Sequence, residues 1–257
     1  MRVICVIPAR MGSSRFPGKP MADMLGLPMI LHVMKRCELN ASLDRTVVAT
    51  CDQEIFDAVT EAGGEAIMTA DTHERCTDRV AEAISKMALS LSGDDLVLMV
   101  QGDEALMTPE MAEQVIEAYR ETGTPVVNLM SRLTKVEDHD DPNAVKAVAG
   151  PDGLALYFSR APIPSRYRAT DAPMYQQTGV IGLSAEYLQT FNNLPQTPLE
   201  IIESVDMMRV LEHGHPLRLV YTDRETVSVD TPDDLERAVM FMREDPYTSE
   251  YLPQPQA

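Results

Sequence analysis

Short apolar runs and amphipathic segments alternate along the first half of the chain. The apolar runs at residues 3–7, 45–50 and 95–100 have the length and the β-branched content of buried strands. The segments between them carry apolar residues at helical spacing and begin or end at proline or glycine. This alternation predicts a doubly wound α/β fold with a mostly parallel sheet. Helices are predicted at 28–37, 54–62, 78–89 and from Thr108 onward, and a further short strand at 65–69.

The pattern changes after about residue 125, where shorter strands predominate. These strands predict a smaller β-rich lobe at about 125–220, carried by a single domain that covers residues 1–245. The polar, proline-bearing tail 246–257 is expected to be flexible. Strands are predicted at 126–133, 144–148, 154–158, 179–183 and 217–222, a proline-punctuated loop at 161–168, and helices at 184–188, 199–212 and 233–243.

A basic loop rich in glycine and serine follows the first strand at residues 8–20. Gly12 and Gly18 let the backbone approach a ligand closely, and backbone N–H groups in such a turn bind anions. Arg10, Arg15 and Lys19 offer charged hydrogen-bond donors to phosphate oxygens. The loop matches neither the Walker A nor the GxGxxG pattern. The residues alone therefore leave two interpretations open, a phosphate-binding loop or a plain basic surface loop.

The overall charge restricts the classes of ligand. The 257 residues carry a formal net charge of −18, which argues against nucleic acid or an anionic membrane surface as a partner. No apolar run approaches the roughly 20 residues that span a bilayer, and the N-terminus shows no signal-peptide pattern. Cys5, Cys37, Cys51 and Cys76 lack CxxC spacing, so we expect reduced thiols in a cytoplasmic protein.

Two carboxylates lie at predicted strand ends that are far apart in the chain. Asp103 follows an apolar strand through a glycine, and Asp230 precedes a Thr-Pro pair. Ligands of α/β sheets bind beyond the carboxyl ends of the strands, so both carboxylates can face one site. Mg²⁺ takes one or two carboxylates together with phosphate oxygens and water. Spacing alone leaves an alternative open, because aspartate after a strand is also a common turn or cap residue.

Several segments resemble one enzyme family along nearly the whole chain, from residue 3 to about 242. Besides the loop at 8–20, these are Thr-Asp-Arg at 77–79, Gln-Gly-Asp-Glu at 101–104 and Val-Asp-Thr-Pro at 229–232. They resemble the CTP-dependent cytidylyltransferases that activate acidic sugars, a family with a Rossmann-like nucleotidyltransferase sheet. The resemblance implies Mg²⁺-dependent transfer of CMP from CTP to an anionic acceptor such as an ulosonic acid, with release of pyrophosphate. It also implies a homodimer formed through the smaller lobe, and a role in lipopolysaccharide biosynthesis.

The same resemblance assigns roles residue by residue. Asp103 and Asp230 are implied to hold the metal, and Lys19, Arg15 and Asp103 to be catalytic. Attack on the α-phosphate needs positioning and charge neutralisation rather than a covalent nucleophile, so Cys76 is assigned to packing. The implied nucleotide-binding residues are Ala9, Arg10, Gly12, Ser13, Ser14, Arg15, Lys19, Thr77, Arg79 and Gln101. The implied acceptor-binding residues are Gln101, Arg160, Gln177, Glu203 and Asp206.

The resemblance breaks at three positions that face the sugar in the family. Gln177 replaces a histidine, Ile181 a tyrosine and Met207 a glutamine. Sites built to hydrogen-bond hydroxyl groups are selective for them, so two interpretations stay open. The substitutions are drift with the same sugar, or they indicate a changed acceptor, such as a compact phosphonate or another small acid. A catalytically inactive nucleotide-binding relative is the alternative from a different functional class.

Overall fold

The computed structural model describes residues 1–13, 15–169, 171–224 and 226–252. Ser14, one of the residues implied for nucleotide binding, lies outside these ranges. The strands are β1 Val3–Ala9, β2 Asp23–Met24, β3 Leu27–Pro28, β4 Arg45–Thr50, β5 Glu65–Met68, β6 Leu96–Val100, β7 Val126–Leu133, β8 Lys146–Ala149, β9 Ala155–Ser159, β10 Met174–Ser184 and β11 Leu217–Thr222. The α-helices are α1 Met29–Glu38, α2 Gln53–Glu61, α3 Cys76–Lys86, α4 Pro109–Thr122, α5 Val136–Asp140, α6 Ala185–Asn193, α7 Pro198–Glu203, α8 Met207–Glu212, α9 Pro232–Glu244 and α10 Thr248–Tyr251.

One large sheet organises the described part of the chain. Nine strands form it in the order β11-β7-β10-β6-β1-β4-β5, with β8 and β9 branching from β10. β1 is parallel to both β4 and β6, whereas β10 runs antiparallel between β6 and β7. Successive residues of β1 enter two different apolar clusters, Cys5 and Ile7 in one and Ile4 and Val6 in the other, because side chains alternate across a strand. The predicted α/β fold, with cover on both faces of the sheet, is confirmed.

Strands from the segment predicted to form a smaller lobe pair with the central sheet. β10 pairs with β7 on one side and with β6 on the other, through Val180 opposite Val100. Residues 178–184 of β10 are all buried, which suits a central strand better than an edge strand. Between β7 and β11, the described strands that leave the main order are β8 and β9.

The carboxyl ends of β1, β4 and β6 meet at one edge of the sheet, and this edge carries the basic loop. Gly18 has a φ of 75°, and its N–H donates to the carbonyl of Met11 at 3.1 Å. An L side chain rarely adopts that φ, so glycine is suited to this turn. The carboxylate of Asp52, at the end of β4, accepts from Met11 N at 2.8 Å. The loop is therefore fixed to the ends of β1 and β4.

The single helix predicted at 199–212 is two helices, α7 and α8. Ser204 interrupts it with a φ of 54° and a ψ of 47°, the left-handed conformation. A buried ion pair joins the two parts, because Arg209 donates to both carboxylate oxygens of Glu200 at 2.8 and 2.6 Å. The break turns Ser204 and Asp206 toward the edge of the sheet where the site lies.

The tail from residue 246, predicted to be flexible, contains a short helix in its described part. Residues up to 252 include α10, which packs against α1. The fully buried Arg36 donates to Thr248 Oγ1 at 2.8 Å and to the Tyr251 hydroxyl at 3.1 Å, and it also pairs with Asp245. A buried guanidinium requires such partners. Because Arg36 lies on α1, the composition of the tail gives no sign that the tail supplies them. Residues 253–257 lie outside the described ranges.

Acid should weaken the fold through Asp95. Hydrogen bonds from Arg2 N at 2.7 Å and Ser92 N at 2.9 Å lower the pKa of this buried carboxylate to about 2. Since the folded pKa lies below the ordinary value, the stabilisation is complete above about pH 4 and is lost as the pH falls toward 2. We expect Asp95→Asn to lower the free energy of unfolding by about 2 kcal/mol at pH 7. Urea unfolding from pH 7 to pH 3 measures this difference, which should shrink with acidity.

The neighbouring Asp94 provides the control, because its side chain is exposed. Asp94→Asn should follow the wild-type pH dependence. A constant difference between wild type and Asp95→Asn down to pH 3 would contradict the ionic explanation.

Candidate active site

Two cations and two carboxylates alternate at the edge of the sheet. Lys19 Nζ lies 2.8 Å from Asp103 Oδ2 and 3.2 Å from Asp230 Oδ1, and Arg15 Nη2 lies 3.0 Å from the same Asp230 oxygen. Burial lowers the pKa of Lys19, but the charges and hydrogen bonds of both aspartates outweigh burial and raise it above its ordinary value. Lys19 is therefore a full cation at neutral pH. The structure brings together the four residues implied for catalysis and metal binding.

Local contacts hold the two aspartates in place. Asp230 precedes α9, which begins with a capping box between Thr231 and Asp234. The Asp230 N–H donates to the Asp234 carboxylate at 3.2 Å. Val229 N donates to the carbonyl of Asp103 at 3.2 Å, which ties the two aspartate segments together. These bonds explain how residues more than one hundred positions apart reach one ammonium group.

The aspartate pair has the chemistry of a cation site. Asp103 Oδ1 is buried and has no hydrogen-bond partner within the described ranges, and a buried carboxylate oxygen is costly without one. Within those ranges no group of three or more His, Cys, Asp or Glu residues could hold a metal. A divalent ion at Asp103 and Asp230 would need further oxygens from substrate or water, as Mg²⁺ usually does.

Two cavities meet at Gln101 and Asp103. The first opens onto the basic loop and the second extends under α7 and α8. Because both cavities contain the same two residues, ligands in them would lie side by side with Asp103 at the junction. The first is lined by Pro8, Ala9, Arg10, Gly12, Ser13, Lys19, Pro20, Cys76, Gln101, Gly102 and Asp103. The second is lined by Gln101, Asp103, Glu104, Asn143, Ala144, Val145, Arg160, Gln176, Gln177, Thr178, Gly179, Ser204, Val205, Asp206, Ser228 and Asp230.

Three residues implied for substrate contact have hydrogen-bond partners within the protein. Thr77 is buried and donates its hydroxyl to Asp206 at 2.7 Å, which connects α3 to the start of α8. Arg79 is also buried and donates to the loop after β5, through Thr69 Oγ1 at 2.5 Å and the carbonyl of Ala70 at 3.2 Å. Neither Thr77 nor Arg79 lines the first cavity.

Glu203 is the third of these residues. Its carboxylate accepts from Ser159 Oγ and from Arg160 N, both at 2.8 Å, and it does not line the second cavity. The Arg160 Nε donates to the carbonyl of Glu203 at 2.7 Å. Glu203 therefore orients Arg160, which itself lines the cavity.

The three departures from the family pattern have different surroundings. Gln177 lines the second cavity and donates to Asn128 Oδ1 at 2.6 Å. Ile181 and Met207 are fully buried in the apolar cluster on one face of the sheet and line neither cavity. The expectation that all three face the acceptor is wrong for these two, because Ile181 lies in the part of β10 that pairs with both β6 and β7 and Met207 points into the core from α8. Gln177 is the one of the three that meets the cavity.

Sequence reasoning missed Asn143, Gln176 and Ser228, which also line the second cavity. Asn143 Oδ1 accepts a hydrogen bond from Arg15 Nη1. A signal was available for Asn143, since an Asp-Pro-Asn sequence before a strand indicates an ordered turn. Gln176 and Ser228 carry no such signal.

Cys76 does not have the properties of a nucleophile. Burial raises the pKa of its thiol to about 12, with a further contribution from the charge of Asp206. The thiol is therefore protonated at neutral pH, whereas the thiolate is the reactive form. Its assignment to packing in the wall of the first cavity is supported.

Gly179 allows β10 to approach Gln101 closely. A Cβ at this position would lie 2.7 Å from Gln101 Cβ and 2.9 Å from Glu104 Cγ. We expect Gly179→Ala to displace Gln101 and to raise KM for substrates by about tenfold or more. Steady-state kinetics with each substrate varied in turn would measure the effect.

Gly93→Ala is the matched control for this substitution, since an added Cβ there would meet Glu186 at an ordinary 3.4 Å. It should leave both KM values unchanged. Equal behaviour of the two variants would contradict the close-approach explanation.

None of the described helices combines the length and the apolarity that crossing a bilayer requires. This observation does not test whether the protein is cytoplasmic, which stays a prediction.

Comparison with known proteins identifies the family. A sequence profile described as cytidylyltransferase matches residues 4–223. The 3-deoxy-manno-octulosonate cytidylyltransferase of Syntrophobacter fumaroxidans is 44% identical over 248 residues, which cover 95% of this chain and 98% of that protein. The 8-amino-3,8-dideoxy-manno-octulosonate cytidylyltransferase of Shewanella amazonensis is 41% identical over 239 residues, 92% of this chain and 97% of that protein.

A solved structure agrees with the sequence relatives. It is that of a CMP:2-keto-3-deoxy-manno-octonic acid synthetase complexed with CTP, with a TM-score of 0.86 and 34% identity over 95% of this chain and 99% of that one. The fold, the paired cavities and the extent of these matches lead to one conclusion. The chain belongs to the cytidylyltransferase family and is a nucleotidyltransferase that transfers CMP from CTP.

Proposed function

We propose that the acceptor is an acidic sugar of the 3-deoxy-octulosonate class, that pyrophosphate is released and that Mg²⁺ is required. The observation that carries this proposal is the pair of cavities sharing Gln101 and Asp103. One has the cations and loop backbone that suit a triphosphate, and the other contains Arg160, which suits a carboxylate. The printed names of two relatives, at 44% and 41% identity, support an acceptor of this class.

The proposed roles follow from the charge of each side chain and from the cavity beside which it lies. Arg15 and Lys19 bind the β- and γ-phosphates of CTP, because Lys19 lines the first cavity and both cations contact Asp230 beside it. Arg10 and the backbone of Gly12 bind the nucleotide beside them. Arg160 orients the acceptor through its carboxylate, so that an acceptor hydroxyl can approach the α-phosphate from the second cavity. Positioning of this kind contributes much of the rate in phosphoryl-type transfer.

Mg²⁺ would be held by Asp103 and Asp230. When bound, it neutralises charge that develops on the phosphate oxygens during transfer. The orphaned Asp103 Oδ1 supports this assignment, since it is a buried acceptor with no donor in the described part of the chain. Lys19 contacts both carboxylates, and its ammonium would also bind phosphate oxygens of CTP.

The test is pyrophosphate release from CTP across a panel of acceptors. The panel contains 3-deoxy-manno-octulosonate, its 8-amino-3,8-dideoxy analogue, a phosphonate and a neutral hexose, with ATP, GTP and UTP replacing CTP as controls. We expect turnover with CTP and an octulosonate, and its loss when EDTA removes divalent cations. Inertness with both octulosonates would overturn the acceptor assignment, and full activity in EDTA would overturn the metal requirement.

A changed acceptor is the second candidate, and it now depends on Gln177. This amide lines the second cavity where the family pattern has histidine, whereas Ile181 and Met207 are core residues. The same panel separates the candidates, because a phosphonate or another small acid would then outperform both octulosonates. Turnover with no acceptor, combined with CTP binding, would favour the inactive nucleotide-binding relative.

We further propose a homodimer formed through residues 125–220. This segment exposes large apolar side chains, with Leu156 at 62%, Ile201 at 58% and Ile202 at 74% exposure. Such side chains are common at interfaces between copies of a chain. Light scattering at micromolar concentration should give twice the mass of the chain, and Ile202→Glu should reduce it. A monomeric wild type would remove the proposal.

A further inference from the structure

Lys146, the first residue of β8, is a charged side chain that the proposed roles leave unused. It is fully buried, which is rare for lysine and costs free energy unless the ammonium has partners. Its Nζ donates to the carbonyl of Asp141 at 2.7 Å. Burial lowers the pKa of Lys146, and the Asp141 carboxylate acts in the opposite direction. The contact with Asp141 offsets part of the free-energy cost of burying this cation.

The contact belongs to a set that ends on three consecutive residues. Lys146 donates to the carbonyl of Asp141, Arg160 Nη1 to the carbonyl of Pro142 at 2.8 Å, and Arg15 Nη1 to the side chain of Asn143. The Asn143 N–H also donates to Asp141 Oδ1 at 2.8 Å, which fixes the turn. We call residues 141–143 the wall segment.

The wall segment separates the second cavity, which we now call the acceptor cavity, from a neighbouring cavity. Asn143 lines both cavities, and Asp141 lines the neighbouring one. Any shift of this segment therefore changes the width of the acceptor cavity. Lys146 lines neither cavity, so it acts on the wall segment from behind, from within the sheet.

The three cations differ in whether a substrate can bind to them. Arg15 and Arg160 are the groups to which phosphate and carboxylate oxygens would bind, and those oxygens compete with Asn143 and Pro142 for the same N–H groups. Lys146 is buried and out of reach of both ligands. Its bond to Asp141 is thus the one of the three that substrates cannot displace.

We propose that Lys146 is a positioning residue that holds the wall segment in place while the acceptor is bound. The inference rests on the proposed acceptor, but it concerns a residue that touches neither substrate. Without the ammonium, the Asp141 carbonyl loses its donor, and of the three contacts from cationic side chains only the two that substrates compete for remain. The acceptor then meets a wider cavity, whereas CTP keeps its proposed contacts with Lys19 and Arg15.

The test is the steady-state kinetics of Lys146→Met, a variant of similar length without the charge. We expect the KM for the octulosonate acceptor to rise about tenfold or more, with the KM for CTP within about threefold of wild type. A general loss of folding would instead lower the active fraction and hence kcat, with both KM values unchanged. This division between the two KM values distinguishes positioning from stability.

Lys86→Met is the matched control, because Lys86 Nζ also donates to a backbone carbonyl, that of Met68 at 2.8 Å, from an exposed position. It should leave all constants unchanged. Lys146→Gln keeps a shorter donor and should give an intermediate acceptor KM, and it replaces the Met variant if that fails to fold.

A wild-type acceptor KM in either folded variant of Lys146 would overturn the inference. So would equal changes in both KM values. Failure of the proposed function is a separate result, since it would appear as absence of turnover in the wild type before any variant is compared.

Discussion

Asp103→Asn should lower kcat by about 10²- to 10³-fold, the range found when one preorganised charge-stabilising group is removed from an active site. The substitution keeps the volume of the side chain but removes its negative charge. That charge is shared between Oδ2, which lies 2.8 Å from Lys19 Nζ, and the buried Oδ1. The fold should persist, because Lys19 retains Asp230 at 3.2 Å. Pyrophosphate release at saturating CTP and acceptor measures the loss, and thermal unfolding checks the fold.

Asp230→Asn should behave in the same way, since Asp230 is the other half of the pair. Asp223→Asn is the control, because Asp223 is an exposed carboxylate outside both cavities. Wild-type rates in both active-site variants would remove the metal assignment and the catalytic role of this pair. A loss confined to one variant would leave a single carboxylate with a role in catalysis.

Arg209→Met should lower the free energy of unfolding by about 3–5 kcal/mol, the usual cost of leaving one member of a buried ion pair without its partner. Glu200 is fully buried and receives two hydrogen bonds from Arg209, at 2.8 and 2.6 Å. Removing the guanidinium leaves this buried carboxylate with weaker contacts, to Thr197 N at 3.2 Å and to Arg75 Nε at 3.7 Å. Urea unfolding at pH 7 measures the effect.

The same substitution should also affect the acceptor cavity. The pair joins α7 to α8 across the break at Ser204, and Ser204 and Asp206 line that cavity. The double variant Arg209→Met/Glu200→Leu should recover much of the stability, because an apolar pair avoids the buried charge.

Arg120→Met removes one member of an exposed pair with Glu113 at 3.4 Å, and should change stability by less than about 1 kcal/mol. A comparably small effect for Arg209→Met would show that Glu200 finds other partners.

Much of the fold could be predicted from local pattern. β4, β7 and β11 have the predicted bounds, because an apolar run between turn residues has few other stable conformations in water. The helix after Thr108 begins at Pro109, as the threonine cap and the proline indicate. The common edge for the basic loop and Asp103 follows from the rule that ligands bind beyond the carboxyl ends of parallel strands.

The sequence by itself determined the α/β class and the family, and it predicted that the basic loop, Asp103 and Asp230 share one edge of the sheet, since these inferences depend on residue type and short spacing. The tertiary structure decided which side chains line the two cavities. Ile181 and Met207 are core residues, Glu203 supports Arg160, and the tail packs on Arg36. The reason is physical: facing a cavity or a core depends on strand register and on contacts between distant segments, and neither leaves a local signal in the chain.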